Sequence, residues 1–139
     1  MGHVYADITL LNSFEVTAAK KGHIAEGDVK KLTVNAMVDS GAMTLTINEA
    51  VAKQLDLEVK DRLEVVLADG SFRKCDLVGP VDIRFENRIA STLALVLPGA
   101  DEILLGVIPL EGMDVIIDPV AQQLVVHPDR PLRAQMKVK

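Results

Sequence analysis

Asp39, Ser40 and Gly41 stand side by side in the middle of LTVNAMVDSGAMTLTIN, residues Leu32 to Asn48, flanked by apolar stretches rich in β-branched residues. Three such residues can make a plain turn, because Asp and Ser bond their own backbone and Gly accepts a positive φ. They can also do chemistry. Apolar runs on both sides imply a loop pinned inside the structure. A carboxylate there must be paired, hydrogen-bonded or functional, since burying it alone is costly. A carboxylate so held can act as a general base on water.

The competing chemistries are poorly supplied. Ser40 as a nucleophile needs a histidine base and a second aspartate, and His3, His23 and His127 stand in no context that suggests a base. Those histidines and Cys75 show no metal-ligand spacing. Cys75 has no neighbour in the sequence that would activate its thiol. Neither G-x-x-x-x-G-K-S/T nor G-x-G-x-x-G is present, so nothing supports nucleotide binding. The expectation is a site with no metal and no cofactor.

The chain of 139 residues is one ordinary domain, long enough to bury a sizeable core. An apolar content of 49% excludes a disordered chain, and with aromatics at 3% the core must be aliphatic, which leans towards strands. A formal charge of -5, from 20 acidic against 15 basic residues, leaves no basic face for nucleic acid or an anionic membrane. A single cysteine allows no internal disulfide. The first residues lack the basic and apolar regions of a signal peptide, and no run approaches the roughly 20 apolar residues of a membrane span. The expected location is cytoplasmic.

The elements that must position Asp39 follow from the pattern. His3–Leu11 reads as a strand, and Asn12 with Glu15 three residues on starts a short helix that Gly22 stops. Lys31–Val38 is a strand running into the Asp-Ser-Gly corner, and Asn48 caps a second helical stretch. RLEVVLADGSFRKCDLVG reads as a hairpin joined at Asp69-Gly70, the dipeptide a tight primed turn favours. Gly79-Pro80 breaks it, and VDIRF with STLALVL makes a second hairpin across ENRIA. Ile103–Gly106 is a further apolar run, Pro109 limits VIPLEGM to a helical turn or two, and DVIID and QLVVH are strands about Pro119. The folded domain spans 1–127, and 128–139 is a basic, Pro-interrupted tail. Many short strands with few helices indicate a compact, mostly β barrel or sandwich.

AMVDSGAMTLTI closely resembles the active-site loop of retropepsin-like aspartic proteases, whose motif is apolar-apolar-Asp-Thr/Ser-Gly-Ala. The likeness is to non-viral members, such as the protease domain of DNA-damage-inducible proteins and small bacterial relatives. Leu104-Leu105-Gly106 matches the family's later apolar-apolar-Gly motif, a segment that passes close behind the loop where no side chain would fit. The hairpin VVLADGSFRKCDL lies where the family places its flap, and the likeness runs roughly from Val34 to Val126.

The resemblance implies a closed or partly open acid-protease-like β-barrel with one or two short helices, acting as a homodimer on peptide or unfolded-protein substrates. One Asp-Ser-Gly per chain requires two chains to make the pair of carboxylates that activates a water. Two carboxylates about 4 Å apart at an effective dielectric near 20 repel by about 4 kcal/mol. That is about three pKa units, enough to keep one proton on the pair in mild acid. One Asp39 would be the general base, and its protonated mate would polarise the scissile carbonyl. Gly41 would bring its N–H to the carboxylates, and Ser40 would brace the two loops across the interface. Ala42 and the flap tip Ala68, Asp69, Gly70 and Ser71 would contact substrate; Leu104, Leu105 and Gly106 would support the loop. Met43 stands where viral members usually have an Asp that grips the substrate backbone, which the non-viral relatives also lack, and the charged flap strand FRKCDL differs from the Gly-rich viral flap. Two rivals keep the same fold without the reaction: a dimeric module that binds extended peptides uncut, and a purely structural dimerisation domain.

Overall fold

The computed structural model describes residues 3–138. Strand β1 (Tyr5–Asn12) pairs antiparallel with β2 (Lys31–Val38). Ala6, Ile8 and Leu10 point into the core, while on the other face Asp7 accepts from Asn35 Nδ2 at 2.9 Å and Thr9 meets Thr33 at 3.1 Å. This is the two-residue alternation of a half-buried strand. Between them lie helix α1 (Ser13–Lys20) and a single 3₁₀ turn, Glu26–Asp28. Asn12 caps α1 by accepting from the Glu15 N–H at 3.1 Å, as its position predicts.

After the Asp39 loop come β3 (Leu45–Ile47) and α2 (Glu49–Gln54), whose cap is Asn48, accepting from the Val51 N–H at 3.0 Å. Strands β4 (Glu58–Val66), β5 (Phe72–Phe85), β6 (Arg88–Val96) and β7 (Ile103–Leu105) follow. Helix α3 (Val107–Met113) and the hairpin of β8 (Val115–Asp118) with β9 (Gln123–Val126) complete the regular structure. Neighbours run β1-β2-β7-β3-β6-β5, and β5 returns to β1, so six strands close a mixed barrel, with β4 outside it on β5. The β2–β7 and β3–β6 pairs are parallel. Aliphatic side chains fill the barrel, including Ile8, Leu10, Leu45, Ile47, Val81, Ile83 and Leu105.

Three expectations need correction. The strand does not end at Gly79-Pro80: β5 runs through it and changes partner there, residues up to Gly79 pairing with β4 and Val81–Arg84 with β1. The register also slips against β6 between Val78 and Val81. A bulge lets one strand turn a barrel corner. Gly79 serves it at φ +140, with Leu93 so close that a Cβ would meet its side chain at 3.0 Å. The second hairpin is accordingly longer than STLALVL: it turns at Glu86-Asn87, and Arg88 and Ile89 already belong to β6. Among the described residues there are also three short α-helices rather than one or two. Pro109 is tolerated as the third residue of α3, because the first N–H groups of a helix have no partner within it.

Residues 128–138 carry no regular structure, and most are exposed. They are nonetheless fastened to the barrel. Asp114, the left-handed cap of α3, takes both Arg130 Nε at 2.6 Å and Nη2 at 3.0 Å and accepts from the Gln135 N–H. Asn87 Nδ2 donates to the Pro131 carbonyl, and buried Arg88 donates to that of Arg130. Among the described residues no helix is long and apolar enough to cross a membrane.

Candidate active site

Strand β2 ends at Val38, and the loop that follows is locked to the end of β7. The Asp39 N–H donates to the Leu105 carbonyl at 3.0 Å, so Asp39 continues the parallel β2–β7 ladder by one step. The Ala42 N–H then donates to the Asp39 carbonyl at 3.1 Å, closing a turn. From the far side, the N–H groups of Val107 and Ile108 donate to the carbonyls of Ala42 and Met43, both at 2.9 Å. The loop and the start of α3 are thus laced together through backbone alone.

Gly106 lies at the crossing. Its φ of -91 is ordinary, so conformational freedom is not what the position needs. Space is. A Cβ there would stand 2.6 Å from the Ala42 carbonyl oxygen, 2.7 Å from the Thr44 nitrogen, and closer still to the Thr44 carbonyl oxygen. All three are backbone atoms of the Asp39 segment. The expectation that no side chain fits behind the loop therefore has a steric cause.

Within the loop the Gly41 N–H donates to Asp39 Oδ1 at 2.9 Å, which orients the carboxylate. A Cβ on Gly41 would meet that oxygen at 3.1 Å, so glycine keeps the contact open. The expected burial is not found: Asp39 is half-buried, and Ser40 and Gly41 are exposed. The apolar flanks Val38 and Leu45 turn towards the core, but the loop projects from the ends of their strands and faces outwards. Among the described residues the Ser40 hydroxyl has no hydrogen-bond partner.

Facing the loop, β4 and the first half of β5 form a hairpin whose tip arches over Asp39. The two enclose a cavity of about 470 Å³ lined by Asp39, Gly41 and Ala42 below, Val65 to Ala68 above, and Thr46, Cys75, Leu95, Leu97 and Leu104 at the sides. The predicted residues divide accordingly. Asp39, Gly41, Ala42, Ala68 and Leu104 line this space; Ser40, Asp69, Gly70 and Ser71 stand outside it, Leu105 is core, and Gly106 backs the loop.

The tip is not the primed two-residue turn that Asp69-Gly70 suggests. Gly70 has a φ of +85, but Asp69 is not in the left-handed region, which a type I′ turn requires of both central residues. Instead the Gly70 N–H donates to the Leu67 carbonyl at 2.9 Å, and the Leu67 N–H to that of Ser71 at 2.8 Å. This is a turn followed by one left-handed glycine. The Asp69 carboxylate accepts from both the N–H and the hydroxyl of Ser71, at 2.9 and 2.5 Å. Those two bonds hold its pKa below the usual Asp value.

The apolar wall escaped the sequence reading. Leu95 and Leu97 alternate with the buried Ala94 and Val96, and Val65 and Leu67 alternate with exposed Val66. The period of two is visible in LALVL, but which set faces the cavity depends on the strands that pair with it.

The model of the aspartyl protease family matches residues 25–108. Among solved structures, the fold is similar to the crystal structure of the retroviral protease-like domain of Ddi1 from Leishmania major, at 18% identity, with 92% of this chain and 90% of that chain covered and a TM-score of 0.58. At that identity the likeness speaks for the fold alone. No curated protein matches the chain.

Proposed function

The chain belongs to the aspartyl protease family, and from that premise we propose that it is a homodimeric aspartic endopeptidase with one Asp39 from each subunit in a shared site. The observation that carries this is the cavity in which an oriented carboxylate on a locked loop faces a hairpin tip across an apolar space. A lone carboxylate can take a proton from water but cannot also polarise the carbonyl under attack. Two of them sharing one proton can do both.

In this mechanism an extended peptide lies between the Asp39 loops and the two hairpin tips. The ionised Asp39 accepts a proton from the water as it attacks the scissile carbonyl carbon. The protonated mate donates a hydrogen bond to the carbonyl oxygen, where negative charge develops. Each Gly41 N–H holds one oxygen of its own carboxylate, leaving the other oxygen for the water or the partner. The Ser40 hydroxyl, unpartnered among the described residues, braces the second loop in this reading. Ala42 and Ala68 bound the space below and above the peptide backbone, and the apolar wall displaces water around it.

The test is incubation with denatured protein and a peptide library across pH 4 to 7, for the native chain and for Asp39→Asn. Loss of a general base lowers the rate by about 10²- to 10⁴-fold, so the variant should fall to background while its melting temperature holds. Cleavage that persists in Asp39→Asn would refute the assignment. Peptide bound by both forms and cut by neither would identify the non-catalytic module instead.

A further inference from the structure

We infer that Met43 and Ile108 form an apolar contact with a second copy of the chain, beside the symmetry axis that pairs the two Asp39 carboxylates; this rests on the dimeric reading above. Met43 is 69% exposed and Ile108 50% exposed, both large apolar side chains facing solvent in the single chain. They are adjacent, because the Ile108 N–H donates to the Met43 carbonyl at 2.9 Å. One belongs to the Asp39 loop and the other to the segment locked behind it, so the same backbone bonds that fix the loop fix the main chain beneath both.

Distance brings this pair within reach of such an interface. The turn closed from the Ala42 N–H to the Asp39 carbonyl keeps those two Cα atoms within about 7 Å, and one more residue adds about 4 Å. Met43 is therefore about 11 Å or less from Asp39. A standard interface covers about 800 Å² per partner, a disc of about 16 Å radius. An interface centred on the Asp39 pair therefore has the reach to include Met43, with Ile108 bonded to it near the rim.

A role in holding substrate would need the same side chains in the cavity. Neither lines it: Asp39, Gly41, Ala42 and Leu104 do, while Met43 and Ile108 are absent from the lining and exposed to solvent. Along the chain, exposed Ser40 and Gly41 and half-buried Ala42 are all that separate Met43 from Asp39. A two-fold axis uses each residue twice, so one substitution per chain alters two places in the contact.

The experiment measures self-association of the full chain by sedimentation equilibrium, comparing the native protein with Met43→Asp, Ile108→Asp and the milder Met43→Gln. Phe14→Asp is the control. Phe14 is 74% exposed on α1, at the opposite end of β1 from the Asp39 loop. Far-UV circular dichroism verifies that each variant is folded. Each Asp variant should raise the dimer dissociation constant about tenfold or more, Met43→Gln less, and Phe14→Asp not at all. Peptidase activity per subunit in Met43→Asp should fall on dilution and recover at high concentration, which a defect in substrate binding would not produce. A native dimer that the Met43 and Ile108 variants leave intact overturns this inference and spares the proposed function. A native chain that is monomeric and still cleaves peptide overturns both.

Discussion

The Asp39 loop and the hairpin tip face each other across one cavity, but they are held in different ways. The loop is tied to a separate stretch of chain by three backbone hydrogen bonds, from Asp39 to Leu105, Val107 to Ala42 and Ile108 to Met43, and no Cβ fits at their crossing. The tip bonds chiefly to itself: Leu67 to Ser71, Gly70 to Leu67, and Ser71 to Asp69. A reacting group needs its position fixed before substrate arrives, since misplacement of about 1 Å costs rate steeply. A cover over the site has to admit an extended chain, so it belongs to the part of the fold that opens at low cost.

The largest effect should come from Gly106→Ala. Its methyl group would meet three backbone atoms that cannot rotate aside, so the loop or α3 must shift. We expect a loss of about 3 kcal/mol or more in urea-induced unfolding, with activity lost alongside. A loss under about 1 kcal/mol would mean that the floor is as pliable as the roof, and the contrast between them would fail.

Gly70→Ala should behave differently. Nothing lies within 4 Å of a Cβ there, so the penalty comes only from a φ of +85, worth about 1 kcal/mol. Because the strain falls on the tip, kcat/KM for a peptide should drop by more than the stability loss predicts, with Asp39 undisturbed. Equal stability losses for the two glycines would erase the distinction.

Much of the framework that carries the floor was legible in the sequence because its signals are local. Asn12 and Asn48 cap helices with their own side chains, and β2 has the limits that the apolar run Lys31–Val38 indicates. Gly106 was read from family likeness, and its steric cause needed the structure, since Ala42 and Thr44 are more than sixty positions away in the chain. Gly79-Pro80 looked like a break because both residues end strands locally. In the barrel the same pair lets β5 leave β4 and join β1, a choice made by partners distant in sequence. The tip misled for a related reason: Asp-Gly suits a primed turn, but it equally suits a turn that ends in a left-handed glycine. The cavity wall was hidden because alternation says which residues share a face and never which face is enclosed.

The smallest effect concerns Asp69, and it tests whether the tip is held by its own side chains. Bonds from the Ser71 hydroxyl and N–H lower its pKa in the folded chain. A depressed carboxylate contributes stability above its unfolded pKa and loses it as pH falls through the folded value. Between pH 5 and 7 the contribution should therefore be constant. Below about pH 4, the ordinary Asp range, the bonds to Ser71 should loosen while the floor, built of backbone contacts, stays in place. NMR of the Asp69 carboxyl carbon and the Ser71 amide should give one common midpoint, below that of Asp in an unstructured peptide. Asp69→Asn should abolish the titration seen at the Ser71 amide and leave the amides of Asp39 and Val107 unmoved. A midpoint at or above the peptide value would mean that these bonds do not hold the tip, and that its shape comes from the Leu67–Gly70 backbone turn alone.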